Sequence, residues 1–140
     1  MRYSIKASYL LSVDHGGDKK HCVGAMIDGE EIRRLNGIAH SLGLQTLVEL
    51  HSEEELDSLP ADADMVGVNN RDLTSFTTDI GNAARLISRL PEGMVKIAES
   101  GIKTPEDLRR LSEAGFDGFL IGEAFMSQPD HGGALNRFRI

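Results

Sequence analysis

The residues of this 140-residue sequence best suited to chemistry are a glutamate, a serine and a glycine that follow one apolar run. Residues 95–98 have the composition of a buried strand, and Glu99, Ser100 and Gly101 come directly after it. An unpaired carboxylate is costly inside a strand, whereas the carboxyl-terminal ends of parallel strands commonly carry catalytic and phosphate-binding groups. The pattern predicts an enzyme active site at this strand end.

A second carboxyl, Glu49, could take part in the same chemistry. It lies between Val48 and Leu50 in another apolar run, so it is either an acid–base group or a carboxyl paired with a basic neighbour inside a barrel core. Two carboxyls that line one apolar pocket hold their protons with different strengths, and one can then act as the acid while the other acts as the base.

Asn69 and Arg71 follow a third apolar run, at residues 65–68. Asn69 could orient a substrate hydroxyl or carboxylate, or it could form a turn together with Asn70. Arg71 could hold a substrate carboxylate through two hydrogen bonds, or it could form a surface ion pair with Asp72. The residues alone leave these alternatives open.

Two glycine-containing segments predict a phosphate site. Ser100-Gly101 and Gly122-Glu123 each follow a predicted strand and precede a predicted helix. Backbone N–H groups and the helix dipole favour a phosphate at such a position, and glycine allows close approach of the backbone. Barrels commonly bind phosphate with the loops after their last two strands, so two such loops in consecutive units favour the same function.

The elements that must position these residues alternate between strand and helix. Ser52 with Glu55 predicts a capping box, and Thr104 with Pro105 predicts another helix start. Strands are predicted at residues 7–13, 46–50, 65–68, 95–98 and 118–122, and helices at 28–42, 52–59, 79–90, 104–114 and from 123 onward.

This alternation predicts an α/β protein with a parallel sheet that is buried on both faces. The sheet could be open and doubly wound, or it could be part of a barrel. Polar residues follow several of the strands, and such strand ends converge on one pocket only in a (β/α)8 barrel. A partial TIM barrel of about five strands is therefore the favoured architecture, and residues 1–140 are expected to form a single domain.

Composition excludes several functions. A net charge of -7 argues against nucleic-acid and anionic-membrane partners, which favour basic surfaces. Cys22 is the one cysteine, which suits a reducing cytoplasm, and neither a membrane-spanning run nor a signal peptide is apparent. The sequence lacks the dinucleotide-binding glycine pattern. The histidines show no metal-ligand spacing and are expected to be surface or loop residues: His15, His21, His40, His51 and His131.

Four segments resemble the indole-3-glycerol phosphate synthase family, in its order and at its spacing: residues 47–51 (LVELH), 66–73 (VGVNNRDL), 98–102 (AESGI) and 119–126 (FLIGEAFM). The resemblance covers about residues 28 to 135. It implies a ribulose-phosphate-binding (β/α)8 barrel of tryptophan biosynthesis. That family, a group of carboxy-lyases, closes the indole ring of 1-(2-carboxyphenylamino)-1-deoxyribulose 5-phosphate with loss of carbon dioxide and water, and it uses no cofactor.

The resemblance also implies residue roles. Glu49 would be the acid–base group of dehydration, Asn69 would hydrogen-bond the substrate, and Glu99 would belong to the acid network. Arg71 would lie near the substrate carboxylate. The 5′-phosphate would be held by Ser100, Gly101, Gly122 and the backbone of Glu123, and the aromatic end of the pocket would be lined by Leu73 and Leu120.

The sequence departs from the family in length. Family members run to roughly 250 residues, as the barrel does generally, and this chain is expected to begin near the fourth strand. A lysine from the third strand, and a glutamate and a lysine from the first, would then be lacking. Residues 1–27 are expected to be an atypical strand and loop before the family-like part, residues 28–140.

Two classes of function therefore remain open. The chain is either a synthase whose turnover is impaired, or a non-catalytic phosphate-binding half-barrel that buries its open edges against a second copy. Another sugar-phosphate barrel enzyme, such as phosphoribosylanthranilate isomerase, is a third option, but it lacks the NNRDL string.

Overall fold

Four parallel strands form one sheet in the computed structural model, which describes residues 28–71 and 77–139. The strands are β1 (Leu47–Leu50), β2 (Met65–Asn69), β3 (Val95–Glu99) and β4 (Gly118–Leu120). The α-helices are α1 (Gly29–Ser41), α2 (Gly81–Leu86), α3 (Pro105–Ala114), α4 (Glu123–Met126) and α5 (His131–Arg137). Two 3₁₀ segments, Glu53–Ser58 and Ile87–Arg89, complete the set. The predicted strand at residues 7–13 lies outside the described residues.

The strand order decides between the two architectures that the sequence allowed. Within the described sheet the order is β1-β2-β3-β4, and every neighbouring pair is parallel. A doubly wound open sheet reverses its strand order at a switch point, whereas a barrel adds each strand beside the last one. The sequential order confirms the prediction of an α/β partial barrel.

The two faces of the sheet differ in chemistry, because successive side chains of a strand point to opposite faces. Leu50, Val66, Val68 and Ala98 are buried in one cluster with apolar residues of α2 and α3. The other face carries Glu49, Gly67, Asn69, Ile97 and Glu99, which are adjacent in the strand register. Packing against the helices therefore leaves the polar residues together on the face that does not carry this core.

The helix starts follow the sequence in two places and depart from it in a third. Asp28 accepts a hydrogen bond from the N–H of Glu31 at the start of α1, and Thr104 and Asp107 form a complete capping box at α3. The predicted capping box at Ser52 is wrong: the segment is a 3₁₀ helix without a side-chain cap. Its expected partner, Glu55, instead accepts a 2.6 Å hydrogen bond from the backbone N–H of His51.

Candidate active site

The carboxyl ends of β1, β2 and β3 bring the predicted acid and amide residues together. Asn69 is paired in register with Glu99 on β3, and its Nδ2 donates a 2.5 Å hydrogen bond to Oε1 of Glu49. The Asn69 amide is oriented from its other end, where Oδ1 accepts the backbone N–H of Arg71 at 2.9 Å. Asn69 is thus a fixed bridge that holds the Glu49 carboxyl beside the end of β3.

Glu99 is a buried carboxyl whose proton affinity is strongly altered. Only 8% of the residue is exposed, and Oε1 has no hydrogen-bond partner among the described residues. Burial, repulsion by the Glu49 carboxylate and a hydrogen bond with Glu49 raise the pKa of Glu99 from 4.5 to about 7. Near neutral pH Glu99 can therefore both hold and release a proton, as a general acid or base must.

Gly67 provides the space that the Glu99 side chain occupies. A Cβ atom at this position of β2 would overlap Oε1 of Glu99. The glycine was visible in the sequence only as part of an apolar run, and it acquires this meaning from the pairing of β2 with β3. No signal in the sequence indicated that a carboxyl on the next strand would pack over it.

His51 lies in the loop directly after β1, as expected for the histidines, but the sequence analysis did not select it as a site residue. Its Nε2 is buried and lies 3.0 Å from Oε1 of Glu49, although it is not aligned for a hydrogen bond. Its Nδ1 lies 3.6 Å from Oε2 of Glu55. The i, i+2 spacing of Glu49 and His51 places both on the same face of an extended chain, and this was the available signal.

Arg71 extends from the end of β2 toward the end of β4. Its Nη2 lies 3.1 Å from Oε2 of Glu123, whereas its buried Nε has no hydrogen-bond partner among the described residues. Nε and Nη2 are the two donors of one side of the guanidinium fork, which suits a carboxylate bound through both oxygens. The ion pair of Arg71 is therefore made with Glu123; Asp72, the partner considered from the sequence, lies outside the described residues.

A cavity of about 530 Å³ lies at the ends of β3 and β4. Seven predicted site residues line it: Arg71, Glu99, Ser100, Gly101, Leu120, Gly122 and Glu123. Lys103, which the sequence analysis did not select, lines it as well. Glu49 and Asn69 are not part of this lining, and Glu99 is the residue that connects them with the cavity. The last predicted site residue, Leu73, lies outside the described residues.

The loop after β3 has an uncommon backbone. Ser100 has a φ of 61° and Gly101 a φ of 72°. Both residues are therefore in the left-handed region, which serine rarely adopts. The other predicted phosphate segment leads into α4, which has only four residues. A helix of this length has too few aligned peptide units to give a substantial macrodipole, so the predicted phosphate site at Gly122 and Glu123 would depend on the backbone N–H groups of the first helical turn.

The described residues give no indication of a metal site or of a membrane helix. Across residues 28–71 and 77–139, no group of three or more His, Cys, Asp or Glu side chains is placed to hold a metal ion. In the same part of the chain, every helix is too short or too polar to cross a membrane.

The fold and the strand-end residues define a partial (β/α) barrel with an acid pair beside the Ser100-Gly101 loop. The solved structure described as "Native KDPGal structure" shares this fold, with a TM-score of 0.56 and 21% identity over 80% of this chain and 51% of that chain. Residues 8–138 match the family model for indole-3-glycerol phosphate synthase. The chain belongs to the indole-3-glycerol phosphate synthase family, as its sequence motifs predicted.

Individual relatives agree with this assignment. The chain is 46% identical over 123 residues to an indole-3-glycerol phosphate synthase of Bacteroides thetaiotaomicron, covering 88% of this chain and 47% of the relative. It is 43% identical over 112 residues to one of Acetivibrio thermocellus, covering 79% and 43%. The chain spans about half the length of the curated relatives it matches.

Proposed function

We propose that this chain carries the acid pair and the phosphate site of an indole-3-glycerol phosphate synthase. The substrate would be 1-(2-carboxyphenylamino)-1-deoxyribulose 5-phosphate, and the products indole-3-glycerol phosphate, carbon dioxide and water. One observation carries the proposal: Glu99, with a pKa of about 7, connects the Glu49 carboxyl with a cavity whose other residues include Ser100, Gly101 and Gly122.

The proton balance of this reaction suits a pair of carboxyls. Loss of a carboxylate as carbon dioxide consumes one proton overall. In the dehydration, one proton must reach the departing hydroxyl while another leaves the adjacent carbon. A single carboxyl cannot hold and lack a proton at the same moment, whereas Glu49 and Glu99 together can supply one group of each kind. In this scheme Glu49 is the acid–base group of dehydration, and Asn69 orients both Glu49 and the substrate.

The remaining roles follow from the positions around the cavity. Arg71 would bind the substrate carboxylate through Nε and Nη2, in place of Glu123. Backbone N–H groups would hold the 5′-phosphate at four positions: Ser100, Gly101, Gly122 and Glu123. Leu120, which is half exposed at the cavity, would contact the aromatic ring, and we assign Leu73 to the same contact from its family motif.

We assign no cofactor to this reaction, because acid–base groups and an anion site suffice for it. The net charge of -7 makes nucleic acid an unfavourable partner, and we place the protein in the cytoplasm as one domain over residues 1–140.

Within the described sheet, β1 and β4 each have a strand neighbour on one side only. Their free edges support pairing with a second copy, for which size-exclusion chromatography with light scattering is the test.

A non-catalytic phosphate-binding half-barrel is the second candidate. It is favoured by the lining of the cavity, which lacks Glu49 and Asn69, so that phosphate binding does not require the complete acid network. The 140-residue chain assayed alone is expected to be slower than full-length relatives, by about the 10²–10⁴-fold that a general acid contributes.

The two candidates differ in a product assay. Formation of indole-3-glycerol phosphate is followed by its fluorescence, with wild-type chain, E49Q and the surface control E113Q. The synthase predicts a measurable rate that E49Q lowers by about 10²-fold or more and that E113Q leaves intact. Thermal protection by phosphate ligands without any product would refute the synthase and support the binding function.

A further inference from the structure

Asn70 is among the most buried polar residues of the described chain, with 2% of its surface exposed. Its Nδ2 donates to two backbone carbonyls at the end of β3, that of Glu99 at 3.1 Å and that of Ser100 at 3.2 Å. Its Oδ1 accepts the backbone N–H of Ala83 in α2 at 3.0 Å. The side chain thus connects the end of β3 and the loop after it with helix α2.

The backbone of Asn70 strengthens the same connection. Its N–H donates a 2.9 Å hydrogen bond to the carbonyl of Glu99, and its carbonyl accepts the N–H of Asp79 at 2.9 Å. Every polar group of Asn70 therefore has a partner, which is the condition under which a buried amide stabilises a structure. A turn former would have needed none of these side-chain contacts.

The residue that Asn70 holds is the strained member of the loop. Ser100, with a φ of 61°, is the one non-glycine residue in the left-handed region among residues 28–71 and 77–139. A non-glycine residue in this region is strained and persists only where its surroundings enforce that conformation. The Nδ2 bond to the Ser100 carbonyl acts at the peptide unit that joins Ser100 to Gly101.

We propose that Asn70 is a positioning residue for phosphate binding: its amide holds Ser100 in the left-handed conformation that turns the backbone N–H groups of the loop toward the cavity. The inference deepens the proposed function and rests on its phosphate site. It assigns to Asn70 no contact with the substrate. Asn69, the neighbour in sequence, points to the other face and orients the acid Glu49.

A second buried amide provides a matched control. Asn36 is 4% exposed and donates a 2.9 Å hydrogen bond to Oδ1 of Asp62, while its Oδ1 accepts the hydroxyl of Thr46. Thr46 precedes β1, so this network lies at the opposite end of the sheet. N36S and N70S therefore remove the same kind of group with a similar loss of buried hydrogen bonds, but only N70S touches the loop.

The test is a titration of the complete chain with inorganic phosphate and with ribose 5-phosphate, monitored by the backbone amide NMR signals of Ser100, Gly101 and Gly122. N70S is expected to weaken binding about tenfold, equivalent to about 1.4 kcal/mol, whereas N36S should bind within a factor of two of wild type. Equal affinities in N70S and wild type would overturn the proposal, as would equal losses in the two variants.

A double-mutant cycle with S100G separates positioning from general stability. Glycine adopts a positive φ without strain, so the loss caused by N70S should shrink to about twofold or less when S100G is also present. Additive losses in the cycle would contradict the proposed mechanism.

The wild-type chain keeps the inference testable if N70S does not fold. Saturation with phosphate should shift the side-chain NH₂ signal of Asn70 and leave that of Asn36 in place; an unmoved Asn70 signal would refute the coupling. If the wild type binds no phosphate, the proposed function fails. The Cα and Cβ shifts of Ser100 in N70S then decide the inference alone: loss of the left-handed pattern supports it, and retention of that pattern refutes it.

Discussion

Replacing Glu99 by glutamine should stabilise the protein in a pH-dependent way. The folded state holds the Glu99 proton more tightly than the unfolded state does, because burial and the Glu49 carboxylate raise its pKa to about 7. Between its ordinary pKa of 4.5 and about 7, the unfolded chain therefore releases a proton that the folded chain retains. The free energy of unfolding must fall as the pH rises through this window.

The size of the effect follows from the two proton affinities. A tenfold difference in proton affinity corresponds to about 1.4 kcal/mol, so a change from 4.5 to about 7 is worth about 3 kcal/mol above pH 7. Glu99 is 8% exposed, which leaves little screening by solvent. E99Q preserves the shape of the protonated side chain and removes the titration, so its advantage over wild type should be near zero at pH 4.5 and about 3 kcal/mol at pH 8.

Urea unfolding at a series of pH values measures this difference directly. The exposed Glu113 supplies the control, since E113Q removes one charge at a distance from the acid pair. An advantage of E99Q that stays constant between pH 4.5 and pH 8 would show that Glu99 is not the altered carboxyl. A wild-type protein that becomes more stable relative to E99Q as the pH rises would contradict the sign of the argument.

Three other substitutions test separate parts of the structure. G67A should destabilise the protein by about 1–3 kcal/mol and lower the pKa of the displaced Glu99, both measurable by urea unfolding and NMR titration; G37A, where an added Cβ meets nothing within 4 Å, should be neutral or stabilising and serves as its control. T104A should cost about 1 kcal/mol of unfolding free energy, and an unchanged urea midpoint would contradict the capping box. The backbone N–H of Thr46 lowers the pKa of Asp64 below 3.8, so the stability advantage of wild type over D64N should be complete above pH 3.8 and be lost as the pH falls further, through the lowered pKa of the folded state, as acid unfolding curves will show.

The acid network shows where sequence reasoning succeeds and where it stops. Glu49 and Glu99 were identifiable because carboxyls are rare in apolar runs, and a carboxyl there needs a reason. His51 was not selected because histidine in a loop is common; its i, i+2 spacing from Glu49 was the available signal, and the 3.0 Å distance between the two side chains gives that spacing its significance. Leu73 and the strand predicted at residues 7–13 stay predictions, since they lie outside the described residues.

Local signals in the chain determined the helices and strands, and with them the parallel sheet. The Thr104 capping box involves neighbours in sequence, and so it could be predicted. The capping box predicted at Ser52 does not form, because the Glu55 carboxylate accepts a hydrogen bond from the N–H of His51 instead. Family motifs in the sequence alone identify the chain as a relative of the synthases. These conclusions rest on contacts within a few residues or on matches along the chain.

Only the tertiary structure determined the burial, the charged neighbours and the hydrogen-bond partners of these residues. The strand order distinguished a barrel segment from an open sheet, because the neighbours of a strand are chosen by packing over long distances in the sequence. The pKa of Glu99 depends on Glu49 and on the space above Gly67, residues on two other strands. Asn70 changed from a turn residue to a support of the Ser100 loop for the same reason: burial, charge and hydrogen bonding are properties of the folded environment, and the sequence fixes only which groups can respond to it.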